Sequence, residues 1–241
     1  MPNATLSRRD FLKTSGSLVV AFSFGPLMDK AGRAAMAAGA APKPLALGEV
    51  ASFLAIGADG TVTCYSGKVD LGTGVDTALR QIVADELTVA LEKVELVTGD
   101  TLLTPDQGVT SGSFSIEKGG MQIRQACATA RAALVREAAK SLQLAETELT
   151  TADGTVRAKS GARSVSFAEL VGGKHFSLAM DPKAPLLEPS RYRFVGQAIP
   201  RVDIPGKVTG AFTFMQDFRL PGMLHARVVR PAAIGARLLS V

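Results

Sequence analysis

The chain has 241 residues, 46% of them hydrophobic and 20% charged, which allows one large or two modest soluble domains with a buried core. Its net charge of +5 is concentrated at one end: Arg8, Arg9, Lys13, Lys30 and Arg33 against Asp10 and Asp29 put +3 of it within residues 1–37. With little charge excess on the remainder, no tryptophan and two tyrosines, the sequence excludes a basic, aromatic nucleic-acid platform.

Ser7-Arg8-Arg9-Asp10-Phe11-Leu12-Lys13 is a twin-arginine export motif, and residues 1–37 read as the signal peptide. A short apolar run from Leu18 to Phe24 follows, then an A-x-A cleavage site at Ala35-Met36-Ala37. The run is far below the roughly 18–20 residues that span a bilayer, so no stable membrane span is expected and the destination is the periplasm. Export by this route carries cargo that is already folded, commonly around a cofactor.

Residues 38–48, rich in Ala, Gly and Pro, form a linker. Residues 61–66 alternate and are β-branched, which predicts a strand. A glycine-rich turn runs from Gly67 to Gly74. From Thr77 to about Thr88, Ala78, Leu79, Ile82, Val83 and Leu87 recur at helical spacing. Residues 94–97 are a second strand, so this stretch is a strand–Gly loop–helix–strand unit. A loop from Gly99 to Ser115 leads into a helix over 116–142, whose inward face is Ile116, Ile123, Cys127, Ala130, Leu134 and Ala138. Short strands flank turns at Gly154 and Gly161. A linker with prolines follows between Pro182 and Pro200, and residues 207–241 read as strands. The fold class is α+β.

Several polar residues carry bland readings. Cys64 and Cys127 lack CxxC spacing and are expected as buried free thiols. His175 and His225 lie in unrelated contexts and are not expected to bind metal. Asp85 and Glu86 fall on the polar side of the first helix, where solvated charge is the default. Arg131, Arg136, Glu137 and Lys140 read as an exposed face with i,i+4 support.

Two loops before helices could carry chemistry: Gly72-Thr73-Gly74 and Thr110-Ser111-Gly112-Ser113-Phe114-Ser115. Helix N-termini leave N–H groups unpaired at a positive dipole end, glycine permits close backbone approach, and hydroxyls add donors. The pair suits a phosphate, a pterin or another polar anionic cofactor. The alternative is that Thr77, Ser113 and Ser115 simply cap helices.

The stretch Gly67-Lys68-Val69-Asp70-Leu71-Gly72-Thr73-Gly74-Val75-Asp76-Thr77-Ala78-Leu79, with Ala84-Asp85-Glu86-Leu87 and Thr98-Gly99-Asp100-Thr101, resembles the molybdopterin-binding large subunit of the xanthine dehydrogenase/aldehyde oxidase family. Thr110 to Ser115 is similar to that family's next cofactor loop. Arg201-Val202-Asp203-Ile204-Pro205-Gly206-Lys207-Val208-Thr209-Gly210 and Asp217-Phe218-Arg219-Leu220-Pro221-Gly222-Met223-Leu224 look like the entry to its hammerhead domain. The order signal, cofactor segment, hammerhead is that of the isoquinoline 1-oxidoreductase β-subunit-like subgroup.

The resemblance implies that residues 49–180 are part of a molybdopterin-binding domain, 181–200 a Pro-containing linker and 201–241 the start of a hammerhead. It implies cofactor contacts at Gly72, Thr73, Gly74, Thr110, Ser113 and Ser115, although the family usually has Gln where this chain has the shorter Thr73. The implied cofactor is molybdopterin in a dinucleotide form, with a [2Fe-2S] cluster on an iron–sulfur small subunit and a cytochrome c subunit as a further partner. The implied activity is a periplasmic molybdenum hydroxylase acting on an aldehyde or N-heterocycle. No carboxylate here matches the family's catalytic glutamate, so residues 1–241 alone are expected to be inactive. A non-catalytic exported α/β binding module and an inactive gene fragment are the alternative readings.

Overall fold

The computed structural model describes residues 45–171 and 178–240. The twin-arginine motif, the Ala35-Met36-Ala37 site, most of the 38–48 linker and His175 lie outside the described residues. The chain divides into two units, one ending at Asp203 and one beginning at Ile204.

In the first unit, β1 (Leu54–Ile56), β2 (Val62–Ser66) and β3 (Val94–Thr98) form one sheet in that order. β1 and β2 are an antiparallel hairpin; β2 and β3 run parallel, with Val62 opposite Val94 and Ser66 opposite Thr98. A parallel pair needs a crossover, and helix α1 (Val75–Leu87) supplies it. The strand–loop–helix–strand unit predicted from the sequence is therefore present.

Leu79, Val83 and Leu87 are fully buried along one face of α1. Each contributes about 1.5–3 kcal/mol by leaving water. The helix stops at Thr88, which turns left-handed (φ 55°), and the Val89 amide folds back to the Ala84 carbonyl at 2.9 Å.

Helix α2 (Met121–Leu142) packs on α1 and buries Ile123, Cys127, Ala130, Leu134 and Ala138. The predicted face holds except at its first member: Ile116 is exposed, because Ser115–Gly120 form a π-helical turn that rotates it away. Gly120 lets α1 come close, since a Cβ there would lie 3.1 Å from Ile82 Cδ1. Cys64 and Cys127 are both buried and outside any disulfide, as expected, and burial pushes the Cys127 thiol up.

A second antiparallel sheet, β4 (Leu149–Ala152), β5 (Thr155–Ala158) and β6 (Ser164–Ser166), ends in the short helix α3 (Phe167–Val171). Separate sheets with packed helices match the α+β expectation.

The expectation of solvated charge at Asp85 and Glu86 is overturned. Glu86 is 1% exposed and accepts from Arg124 Nε at 3.1 Å, Arg131 Nη2 at 2.6 Å and the Leu187 amide at 2.7 Å. Asp85 accepts from the backbone amides of Arg193 and Val195 at 2.8 and 2.7 Å, and also from that of Phe194. The polar side of α1 faces the proline-containing segment rather than water, and the carboxylates satisfy its amides. Arg131 likewise turns inward instead of joining an exposed face, while Lys140 and Glu137 pair on the surface at i,i+3.

The second unit also departs from expectation. Residues 204–240 contain a helix, α4 (Ile204–Val208), and a 3₁₀ turn at Met215–Asp217, but no strand. β propensity is realised only when a partner strand pairs with the segment, and none does so among the described residues. Phe212 and Phe214 meet edge to face at 4.8 Å, with Lys207 Nζ 5.2 Å from the Phe212 ring. His225 is exposed.

Candidate cofactor site

Because β2 and β3 are parallel, their C-terminal ends emerge on the same side of the sheet. Ligands of open α/β sheets gather at such ends. The loop after β2 carries Gly72-Thr73-Gly74, and the loop after β3 carries Thr110 to Ser115. The Val69 amide donates to Thr110 Oγ1 at 3.2 Å and joins the two directly.

Three buried residues tie the base of this junction. Gln107 Oε1 accepts from Ser66 Oγ at 2.8 Å and from the Gly67 amide at 3.0 Å. Its Nε2 donates to the Gly119 carbonyl at 3.1 Å and to Gln122 Oε1 at 2.9 Å. Lys68, 1% exposed, sends Nζ to the carbonyls of Val109 at 2.7 Å and Gly108 at 3.2 Å. Gly67 is held so tightly that an added Cβ would sit 2.1 Å from the Pro105 carbonyl oxygen.

The helix-capping alternative does not describe this arrangement. The first amides of helix α1 are met by Asp70 rather than by Thr77, whose Oγ1 instead accepts from the Val202 amide at 3.0 Å. The turn at Ser115 begins without a side-chain cap.

The first loop differs from the simple picture of a helix N-terminus open to an anion. Asp70 already fills it, accepting from the amides of Gly72 at 2.8 Å, Gly74 at 3.2 Å and Asp76 at 3.5 Å. Burial pushes the Asp70 carboxyl up, but these amides, with that of Thr73, outweigh it and hold the group below the usual aspartate range. Arg201 completes the turn. It pairs through two nitrogens with Asp203, at 3.0 and 2.7 Å, and donates Nη1 to the Gly72 carbonyl at 2.9 Å. The bonded Asp203 carboxylate pushes the Arg201 guanidinium up further.

What the loops leave free is on their outer side. Gly72 and Thr73 are exposed, and a Cβ on Gly72 or on Gly108 would meet nothing within 4 Å. Ser113 is exposed and held at φ 64°, a left-handed conformation costly for a non-glycine residue and common where structure serves a ligand. Thr110 accepts from Val69, so its own proton remains available to donate. This donor set, hydroxyls and open backbone over two glycines, fits a polar cofactor with several acceptor atoms. Gly74 is different: it is buried under Arg201, which stands 3.1 Å from its Cβ position.

Sequence reasoning missed Asp70, Lys68, Gln107 and Arg201. Asp70, two residues before Gly72, is the one with a readable signal, because aspartate commonly accepts from amides two positions ahead.

A sheet that presents two joined glycine- and hydroxyl-bearing loops at the ends of parallel strands defines a cofactor-binding domain of mixed α and β structure. The chain belongs to the molybdopterin cofactor-binding domain family, whose model matches residues 15–216, and is part of a molybdopterin-binding subunit of the xanthine dehydrogenase/aldehyde oxidase type. It is 47% identical over 187 residues to a nicotinate dehydrogenase subunit of Pseudomonas putida, covering 78% of this chain and 16% of that one. It is 33% identical to the membrane-bound aldehyde dehydrogenase (pyrroloquinoline-quinone) of Gluconacetobacter polyoxogenes, covering 99% of this chain and 31% of that one. It is 29% identical to the β-subunit of isoquinoline 1-oxidoreductase of Brevundimonas diminuta, covering 92% of this chain and 33% of that one. The chain thus spans a third or less of the length of these relatives.

Proposed function

We propose that the chain is the N-terminal portion of a periplasmic molybdenum hydroxylase large subunit, which hydroxylates an aldehyde or an electron-poor N-heterocycle and passes electrons to an iron–sulfur partner subunit. The observation that carries this reading is the Val69–Thr110 hydrogen bond, which makes one donor surface of two loops 41 positions apart in sequence. Family membership supports molybdopterin as the occupant of that surface. The names nicotinate dehydrogenase and isoquinoline 1-oxidoreductase support an N-heterocycle as substrate.

In this reading Gly72 and Gly108 leave room for the pterin to lie against backbone. Thr110, Ser113 and Ser115 donate to its polar edges, and Thr73 offers a short hydroxyl beside it. Asp70, Arg201 and Asp203 keep the first loop in shape without touching the ligand. The bound molybdenum cofactor, in a dinucleotide form, supplies the redox chemistry.

The test is elemental and pterin analysis of the full-length gene product, made with its partner subunits in a host competent for molybdenum cofactor. Stoichiometric molybdenum and pterin, with dye reduction by N-heterocycles or aldehydes, supports the reading. A bound quinone without molybdenum, as the name of the Gluconacetobacter relative would suggest, overturns it. Periplasmic location is tested by changing Arg8 and Arg9 to lysine, which should hold the unprocessed precursor in the cytoplasm; processed periplasmic product from that variant refutes the export assignment.

A further inference from the structure

Lys68 is a buried cation whose ammonium bonds only to backbone carbonyls, and among the described residues it joins no ion pair. Taking an ammonium out of water is costly unless its protons are bonded. Here two are spent on adjacent carbonyls, Gly108 and Val109, immediately before Thr110. Drawing both carbonyls toward the interior fixes the direction of the chain as it enters Thr110-Ser111-Gly112-Ser113, and these residues then stand at the outer side.

The lysine stem needs a place to lie, and Gly119 provides it. A Cβ at Gly119 would come within 2.9 Å of Lys68 Cγ and 3.3 Å of Lys68 Cε. Gly119 has no left-handed φ, so its backbone conformation does not ask for glycine. Its small size is explained by the side chain it admits. The neighbouring Gln107 bonds to the carbonyl of the same glycine. Lys68, Gln107 and Gly119 thus meet at the foot of the second loop, where Lys68 bonds to the carbonyls that lead into Thr110.

We propose that Lys68 is a positioning residue for the second cofactor loop, and that Gly119 is glycine in order to seat it. The proposal rests on reading the two loops as the molybdopterin cradle. It adds a residue on β2's loop that sets the donors of β3's loop through the carbonyls that precede them.

Gly119→Ala is the informative variant. Alanine favours helix over glycine, so a purely local role predicts an unchanged or firmer turn. Positioning predicts the reverse at a distance: the lysine stem is displaced while its charge is kept. In the cofactor-free full-length protein, amide hydrogen exchange at Phe114, whose N–H donates to the Ser111 carbonyl within the loop at 3.0 Å, should quicken about tenfold, the loss of one charge-assisted hydrogen bond, while β2 and β3 keep their protection. In protein made with cofactor supply, retained molybdenum and pterin should fall several-fold, and Lys68→Met should do the same. Lys68→Arg, which keeps a cation and N–H donors at similar reach, should recover part of the retention.

Wild-type exchange at Phe114 together with wild-type cofactor content in Gly119→Ala overturns the proposal, whether or not Lys68→Met folds. If wild-type protein itself holds no pterin, the cradle reading fails instead, and the exchange measurement still decides whether Lys68 sets the loop.

Discussion

The Arg201 side chain crowds the position that a Cβ on Gly74 would take, with its Cδ and Nε 3.1 Å from that position. Gly74 is also left-handed at φ 80°, so any side chain there meets strain and a clash together. Gly72, at φ 97°, has nothing within 4 Å and meets only the strain. Gly74→Val should therefore lower stability by about 1–3 kcal/mol, and Gly72→Ala by the lower end of that range. Arg201→Ala should recover part of the loss in Gly74→Val, whose side chain meets Arg201, and none in Gly72→Ala, whose Cβ meets nothing although the Gly72 carbonyl accepts from Arg201. Thermal unfolding of the single and paired variants reads this directly. Equal response of both glycine variants to Arg201→Ala would show that the contact carries no energy.

Glu86 should be among the most sensitive positions in the first unit. It is nearly fully buried and holds two guanidiniums and the Leu187 amide. Glu86→Ala leaves Arg124 and Arg131 without their shared carboxylate, at an expected cost of about 3–5 kcal/mol. Lys140→Ala, which removes only an exposed pair with Glu137, should cost at most about 0.5 kcal/mol. Urea denaturation of the two variants checks the contrast; similar midpoints would contradict it.

The same carboxylate shows where sequence reading stops. Periodicity in residues 77–88 located α1 and its buried face because apolar side chains repeat with the helical turn. It assigned the opposite face to water because nothing local announces that residues 185–195 return to cover it. The pairs that decide burial at Asp85 and Glu86 are about a hundred positions away. Likewise the residue types of Thr110 to Ser115 singled out that loop in the sequence, whereas Lys68 and Gln107 form bonds 40 or 41 positions apart that no spacing rule encodes. The apolar, β-rich composition of residues 207–240 predicted strands, yet a strand is a pairing and not a property of one segment.

Asp70 makes the first loop sensitive to acid. Its folded-state pKa lies below the ordinary aspartate value of 3.8, so its bonds to the loop amides contribute fully above that value. The contribution is lost as pH falls through the lower, folded-state pKa. Asp70→Asn replaces one acceptor oxygen by a donor facing amides, and should cost about 1 kcal/mol at neutral pH. Asp59 and Asp153 are held low as well and shape the acid limb of both proteins. The difference between wild type and variant should therefore be flat from neutral pH to about 4 and then shrink. Melting temperatures followed from neutral pH down to well below that value test it, and a difference that grows toward low pH would give Asp70 the opposite sign.

Ser113 separates a role in folding from a role in binding. Its hydroxyl is exposed and bonds to no other group among the described residues, while its backbone is left-handed at φ 64°. Ser113→Ala keeps the backbone strain and removes only the hydroxyl, so the cofactor-free protein should melt within about 0.5 kcal/mol of wild type, as surface substitutions do. If the hydroxyl donates to the cofactor, the loaded protein should lose about 0.5–1.5 kcal/mol of affinity, or up to about 3 if it faces a charged group. That corresponds to a several-fold to roughly hundred-fold faster loss of pterin on dilution. Ser113→Gly relieves the left-handed strain as well, so it should stabilise the cofactor-free form slightly and still lose cofactor like the alanine variant. Release of pterin fluorescence from full-length protein, set beside the melting temperature of each cofactor-free form, decides the matter. Unchanged release from both variants would remove Ser113 from the site and leave Thr110 and Ser115 as the donors of that loop.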